Sequence, residues 1–265
     1  MLIESTSHIG FGLAMLDGVI KTPTVDELVH VGMRWLHFVA GITWIGLLYF
    51  FNLVNVPLQK KMDADTKKKV NPDLLLPALF YFRWGAVLTV LAGLGYYAMY
   101  ILKTDVTNAN TAGGHVNLWI VLLAWLTYPI VLFFVEFLII KKIPVVIKDG
   151  RVFAIVMIIL VAVVTFGLTR FFPAMLTVDG QMLASNRTMS IGVGGAYGIF
   201  MMLNVWGIIW PANKRILGAL QGGPPAAPEL ARQAFMASRA NAWLSLPMLL
   251  FMGTSFHDWL IFSGK

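Results

Sequence analysis

Val152–Phe172 reads VFAIVMIILVAVVTFGLTRFF, with no charged side chain before Arg170. A helix rises about 1.5 Å per residue, so about twenty such residues cover the roughly 30 Å hydrocarbon core of a bilayer. A buried strand of a soluble α/β protein ends after about four to eight residues, and this run does not. It therefore reads as a membrane-spanning helix. The same criterion, carried outward, places spans near Val29–Val56, Leu79–Leu102, Val116–Ile140, Ile191–Trp210 and Ala237–Phe262. Composition agrees: 58% of the residues are hydrophobic and 12% charged, more apolar surface than one soluble core can hide. The expected fold class is all-α, a polytopic transmembrane bundle of about six spans. Residues 1–27 are expected to form an external or interfacial segment and 28–265 the transmembrane helical domain. The opening MLIESTSHIGFGLAMLDGVI lacks the basic start of a signal peptide, and Asp17 breaks its apolar stretch, so it is expected to be retained at the interface.

Loop charge sets the direction of threading. Lys60, Lys61, Lys67, Lys68 and Lys69 lie in the first connection, Lys141, Lys142, Lys148 and Arg151 in the third, and Lys214, Arg215, Arg232 and Arg239 around the fifth. By the positive-inside rule these odd-numbered connections are cytoplasmic, which puts both termini on the non-cytoplasmic side of a bacterial inner membrane. The net charge of +7 is spent on these short clusters rather than on a stripe with interleaved aromatics, so lipid headgroups, not nucleic acid, are the expected partner.

The absence of cysteine excludes disulfides, thiolate zinc sites, thioether-attached haem and cysteine-ligated iron–sulfur clusters. No G-x-S-x-G, Walker loop or H-E-x-x-H string is present, so hydrolytic, phosphoryl-transfer and zinc-protease chemistries have no support. Ser190, Gly192, Gly194, Gly195 and Gly198 follow no strand and read as a surface for close helix packing rather than a nucleotide loop.

All five histidines fall toward the non-cytoplasmic side of this topology: His8, His30, His37, His115 and His257. His37 lies inside the first span, where an imidazole needs a hydrogen-bond partner, a metal or a cofactor. His30, seven residues earlier, shares its face about 10 Å nearer the surface. A haem iron takes axial ligands from facing helices at similar depth, which makes His37 with His257 the best pair, with His115 as the substitute partner. Arg170, at the outer end of its span, is placed to hold a haem propionate or an anionic substrate through its planar fork. The simpler roles stand beside these: a backbone carbonyl for His37, headgroups for Arg170. Arg83, Glu136 and Asn204 lie in or beside spans and each needs a partner, although Arg83 and Glu136 are near enough to cytoplasmic ends to reach the interface.

Four strings then acquire a common meaning: RWLHFVAGITWIG at Arg34–Gly46, FYFRWGAVLTVLAG at Phe80–Gly93, MMLNVWGIIWPANKRILGAL at Met201–Leu220 and SRANAWLSLPMLLFM at Ser238–Met252. In series they resemble the membrane domain of the bacterial membrane-bound urate hydroxylase family, whose members carry a C-terminal cytochrome c domain that this chain does not. The resemblance implies a multi-helix membrane scaffold, redox chemistry and, of the histidines, His37 in register. The family's Trp-Lys-Trp-Glu string stands here as Phe82, Arg83, Trp84 and Gly85, and its Ser-Asn-His as Thr254, Ser255, Phe256 and His257, one residue displaced.

Three functions follow as expectations. The first is an electron-transfer protein or subunit carrying b-type haem on His37 and His257 or His115, exchanging electrons with a c-type cytochrome or a larger redox complex. The second is a urate hydroxylase-like oxidoreductase with Arg170 or Arg83 holding the purine anion. The third is a non-catalytic accessory subunit of a respiratory or photosynthetic complex.

Overall fold

The computed structural model describes residues 22–256 and 261–263. Six long helical rods are found among them: α1 Val25–Lys61, α2 Ala64–Thr111, α3 Leu118–Lys142, α4 Gly150–Met175, α5 Asn186–Leu220 and α6 Glu229–Thr254. Five of them, α1 to α5, are by length and composition apolar enough to cross a membrane. The rods are started by side chains that accept from backbone amides otherwise left without partners. Thr24 and Glu27 form a capping box at α1, and Asp63, Asn117, Asp149 and Ser185 cap α2 to α5.

The rods are longer than hydropathy alone indicates. The lysine-rich first connection, expected as a loop, is helical: α1 runs through Lys61, and α2 starts at Ala64 on its Asp63 cap. Lysine is a good helix former, so the chain leaves the membrane without leaving the helix. Likewise α2 runs past Leu102 to Thr111, and α6 begins at Glu229 rather than near Ala237. Wider π-helical turns interrupt α1 at Phe50–Asn55, α2 at Tyr97–Leu102 and α5 at Val205–Ile209. Between α4 and α5 the chain reverses through β1 Thr177–Val178 and β2 Gln181–Met182, paired antiparallel about Asp179 and Gly180. Both turn residues have positive φ, 49° and 79°, as the twist of a two-residue hairpin requires.

Rod α5 is the centre of the bundle: 67% of its most apolar stretch is buried, against 17% for the peripheral α4. Its glycines do what their spacing suggests. The Phe172 ring fills the space over Gly192, Trp125 lies 3.3 Å from where a Cβ on Gly195 would stand, and the Met248 carbonyl comes to 3.1 Å at Gly194. Trp125 Nε1 donates to the Gly192 carbonyl at 2.8 Å and Tyr97 Oη to the Thr188 carbonyl at 3.0 Å, tying α3 and α2 to the same helix.

Rod α6 is long enough to span but less apolar, because one face is polar and turned inward. Ser238, Asn241 and Ser245, three and four residues apart, meet Asn52, Asn204 and Tyr49 at 2.8, 2.9 and 2.9 Å. Trp243 and Leu246 on its other side are exposed, as lipid contact requires. At its start Arg232 donates to the carbonyls of Ile147 and Lys148, which end the short helix Pro144–Lys148 between α3 and α4.

Candidate functional site

Where α1 crosses α2 the two helices are held by a reciprocal clasp. His37 Nδ1 lies 2.7 Å from the main-chain carbonyl of Thr89, and Thr89 Oγ1 donates back to the carbonyl of His37 at 2.8 Å. A carbonyl oxygen only accepts, so Nδ1 carries the hydrogen, and in the neutral ring the lone pair is then at Nε2. No hydrogen-bond partner for Nε2 is found among the described residues. The ring lies flat enough on α2 that a Cβ on Gly93 would stand 2.7 Å from its Cε1 and Nδ1. Gly93 thus provides the space and Thr89 the anchor. The carbonyl partner is the simpler role considered for His37, and it occupies one nitrogen only.

Toward the N-terminal end of α1 a second cluster continues the same face. His30 Nε2 lies 2.8 Å from Tyr96 Oη, and the His30 ring stacks on Tyr100 at 4.4 Å. Tyr100 Oη donates to the Asp26 carboxylate at 3.1 Å. Nearby, the guanidinium groups of Arg34 and Arg187 approach one aromatic ring, Phe256, at 5.5 and 4.8 Å. Two exposed arginines from α1 and α5 therefore converge on a common point.

The remaining expected site residues are placed as follows. His115 is exposed in the loop after α2, past the turn whose Gly114 amide bonds Ala109, and the rod carries it roughly 30 Å beyond Thr89. The fold does not bring it to His37. Arg170 is exposed, with its guanidinium over Phe166 of its own helix at 5.2 Å. His257 and His8 lie outside the described residues. No cluster of three or more metal-ligating side chains is found among the described residues.

Glu136, expected with Arg83 to be able to reach the interface, does not: it is fully buried. Arg83 is half-buried, with its guanidinium 3.8 Å from the Trp210 ring centre and Nε without an acceptor. Sequence reasoning missed Thr89, Gly93, Tyr96, Arg34 and Arg187. The signal available was the spacing of Thr89, Gly93, Tyr96 and Tyr100, which repeats every three or four residues along one face of α2.

An inward-facing polar network, lipid-facing aliphatic surfaces and a histidine clasp between the first two rods define a polytopic α-helical integral membrane protein. The chain belongs to the urate oxidase N-terminal family, whose model matches residues 64–264. The match takes in α2 to α6, while α1, with His37, precedes it. Neither the comparison with curated proteins nor that with solved structures returned a match.

Proposed function

We propose that this chain is a urate hydroxylase-like redox protein of the bacterial inner membrane that carries a b-type haem on His37 and exchanges electrons with a c-type cytochrome or a larger redox complex. The observation that supports this is the state of His37. Its Nδ1 is fixed on a backbone carbonyl and its Nε2 lone pair is unengaged among the described residues, the tautomer and orientation that iron ligation by Nε2 needs. On this criterion the residue fits the group. His257 is the proposed second ligand, and Arg170 the proposed propionate partner.

When bound, haem supplies one-electron transfer at the potential its axial ligands set. The chain's own residues supply the rest. Thr89 holds the imidazole, and Gly93 lets it lie against α2.

The test is the visible spectrum and extractable haem of the purified protein. His37→Ala should lose most of the haem, and Glu229→Gln, at the opposite end of the bundle, should keep it. A folded, colourless preparation that stays colourless when haem is supplied during expression refutes the proposal and favours an accessory subunit of a respiratory or photosynthetic complex. A urate hydroxylase-like enzyme is the second reading, favoured by the convergence of Arg34 and Arg187 on Phe256, which suits a flat organic anion. Urate-dependent reduction of an added cytochrome c, lost in Arg187→Ala with haem content unchanged, would support it.

A further inference from the structure

Glu136 of α3 is 0% exposed, and neither of its carboxyl oxygens has a donor at hydrogen-bonding geometry. No charged side chain among the described residues offsets it; its polar neighbour is Asn204 of α5. The orientation of that neighbour is fixed from the far end of a relay. Asn241 Nδ2 donates to the Met201 carbonyl at 2.9 Å, and a carbonyl can only accept, so the Asn241 amide cannot be turned round. Asn241 Oδ1 must then receive Asn204 Nδ2, at 2.9 Å. That leaves Asn204 with one amide hydrogen to offer, while its own Oδ1, also buried, has no donor.

The cluster thus holds three buried acceptor oxygens, Glu136 Oε1, Oε2 and Asn204 Oδ1, none of which receives a hydrogen bond among the described residues. An ionised carboxylate there would be a buried charge with no counter-charge, the arrangement that costs most inside a membrane. A carboxylic acid supplies the missing O–H donor and removes the charge together. The position also has a means of change: Asn204 is the last residue before the π-helical turn Val205–Ile209, and such turns are local changes of helical register that concentrate at functional positions.

We propose that Glu136, with Asn204 and Asn241, forms a proton-binding site inside the bundle, in which Glu136 is a neutral carboxylic acid whose exchangeable proton is the ligand. The step is a proton transfer alone: the carboxyl O–H breaks, the proton passes to water, and a carboxylate remains until it is protonated again. Glu136 stands six residues from the C-terminal end of α3, about 9 Å from Lys142 along the axis, so the short way out leads to the cytoplasmic face. The site is independent of the haem assignment. It gives the bundle a group that can release or take up charge in its interior.

Infrared spectroscopy of the full chain in lipid nanodiscs at neutral pH tests this, with glutamate-specific ¹³C labelling to separate Glu from Asp. The expected result is a protonated-carboxyl C=O band that moves on labelling, shifts down in D₂O and disappears in Glu136→Gln. That variant should fold, since a neutral amide replaces a neutral acid. Asn204→Ala should keep the band but move it to higher frequency, because the carboxyl loses its hydrogen-bonding neighbour. Absence of the band in the wild type, its persistence in Glu136→Gln, or its failure to shift in D₂O would each overturn the proposal. A carboxylate band that responds instead to exchange of Na⁺ for Li⁺ would make the site a cation site and overturn it too.

Discussion

Replacing Gly93 by alanine tests the clasp between α1 and α2 most directly. The added Cβ would meet the His37 ring at 2.7 Å, and ordinary contact begins at 3.4 Å, so ring or helix must retreat by about 0.7 Å. The same movement stretches the 2.7 Å bond from Nδ1 to the Thr89 carbonyl beyond useful length. Overpacking of this kind costs about 1–3 kcal/mol, and an interhelical hydrogen bond in a membrane contributes about 0.6 kcal/mol, so Gly93→Ala should destabilise the bundle by about 2 kcal/mol. Truncating the ring removes both causes. In a His37→Ala background the same alanine should therefore cost only tenths of a kcal/mol, giving a coupling of about 1–2 kcal/mol between the two positions. Equilibrium unfolding of the four proteins in mixed micelles with a denaturing detergent measures the cycle. Gly32→Ala and Gly46→Ala, whose Cβ atoms would meet nothing within 4 Å, are the controls and should change stability by less than about 0.5 kcal/mol. If Gly93→Ala costs the same with and without the imidazole, the ring does not lie against Gly93 and the clasp is wrong.

Other outcomes follow from the same structure. A cysteine at Lys67 should be shielded from an impermeant thiol reagent in intact cells and one at Ser263 should react; the reverse pattern inverts the orientation. Asn241→Ala leaves the Asn204 amide without its partner and takes the side-chain donor from the Met201 carbonyl, and should cost about 1–2 kcal/mol in the same unfolding assay, more than Ser238→Ala, whose partner Asn52 keeps its bond to the Leu48 carbonyl. The Thr66 amide and hydroxyl hold the Asp63 carboxyl below the usual carboxylate value of 3.8. The cap is therefore fully present above that value and is lost as the pH falls through the lower folded-state value. Protection of the Thr66 amide relative to its intrinsic exchange rate should fall across that acid range in the wild type and stay nearly constant in Asp63→Asn, which caps without titrating.

Hydropathy made the bundle legible because a bilayer imposes one length on every crossing, and a run such as Val152–Phe172 has no soluble explanation. It located membrane boundaries rather than helix boundaries. Lys67, Lys68 and Lys69 leave the lipid yet remain in α2, since nothing in a lysine run stops a helix that Asp63 has started. Circumference was the second thing hidden. Rod α3 is apolar on every side, so no periodicity showed that Glu136 faces α5 rather than the interface. His37 was singled out as an imidazole needing a partner, and its Nδ1 has one. That partner, the Thr89 carbonyl, has no side-chain signature, because every residue has one and only the register of α1 on α2 selects it. His115 was misleading for a related reason: a short sequence distance from the expected end of a span hid the extra helical turns of α2 through Thr111.

The inward polar stripe of α6 has a consequence for biogenesis. A segment leaving the insertion machinery alone would have to carry the Ser238 and Ser245 hydroxyls, the Asn241 amide and Arg239 into lipid, and central polar and charged positions weigh heavily against partitioning. In the finished bundle those hydroxyls and that amide face acceptors and donors on α1 and α5. The last rod is therefore recruited by its predecessors rather than by the bilayer. Lateral entry of α6 should wait on synthesis and packing of the earlier rods, which makes closure of the bundle a late, cooperative event in the life of the nascent chain.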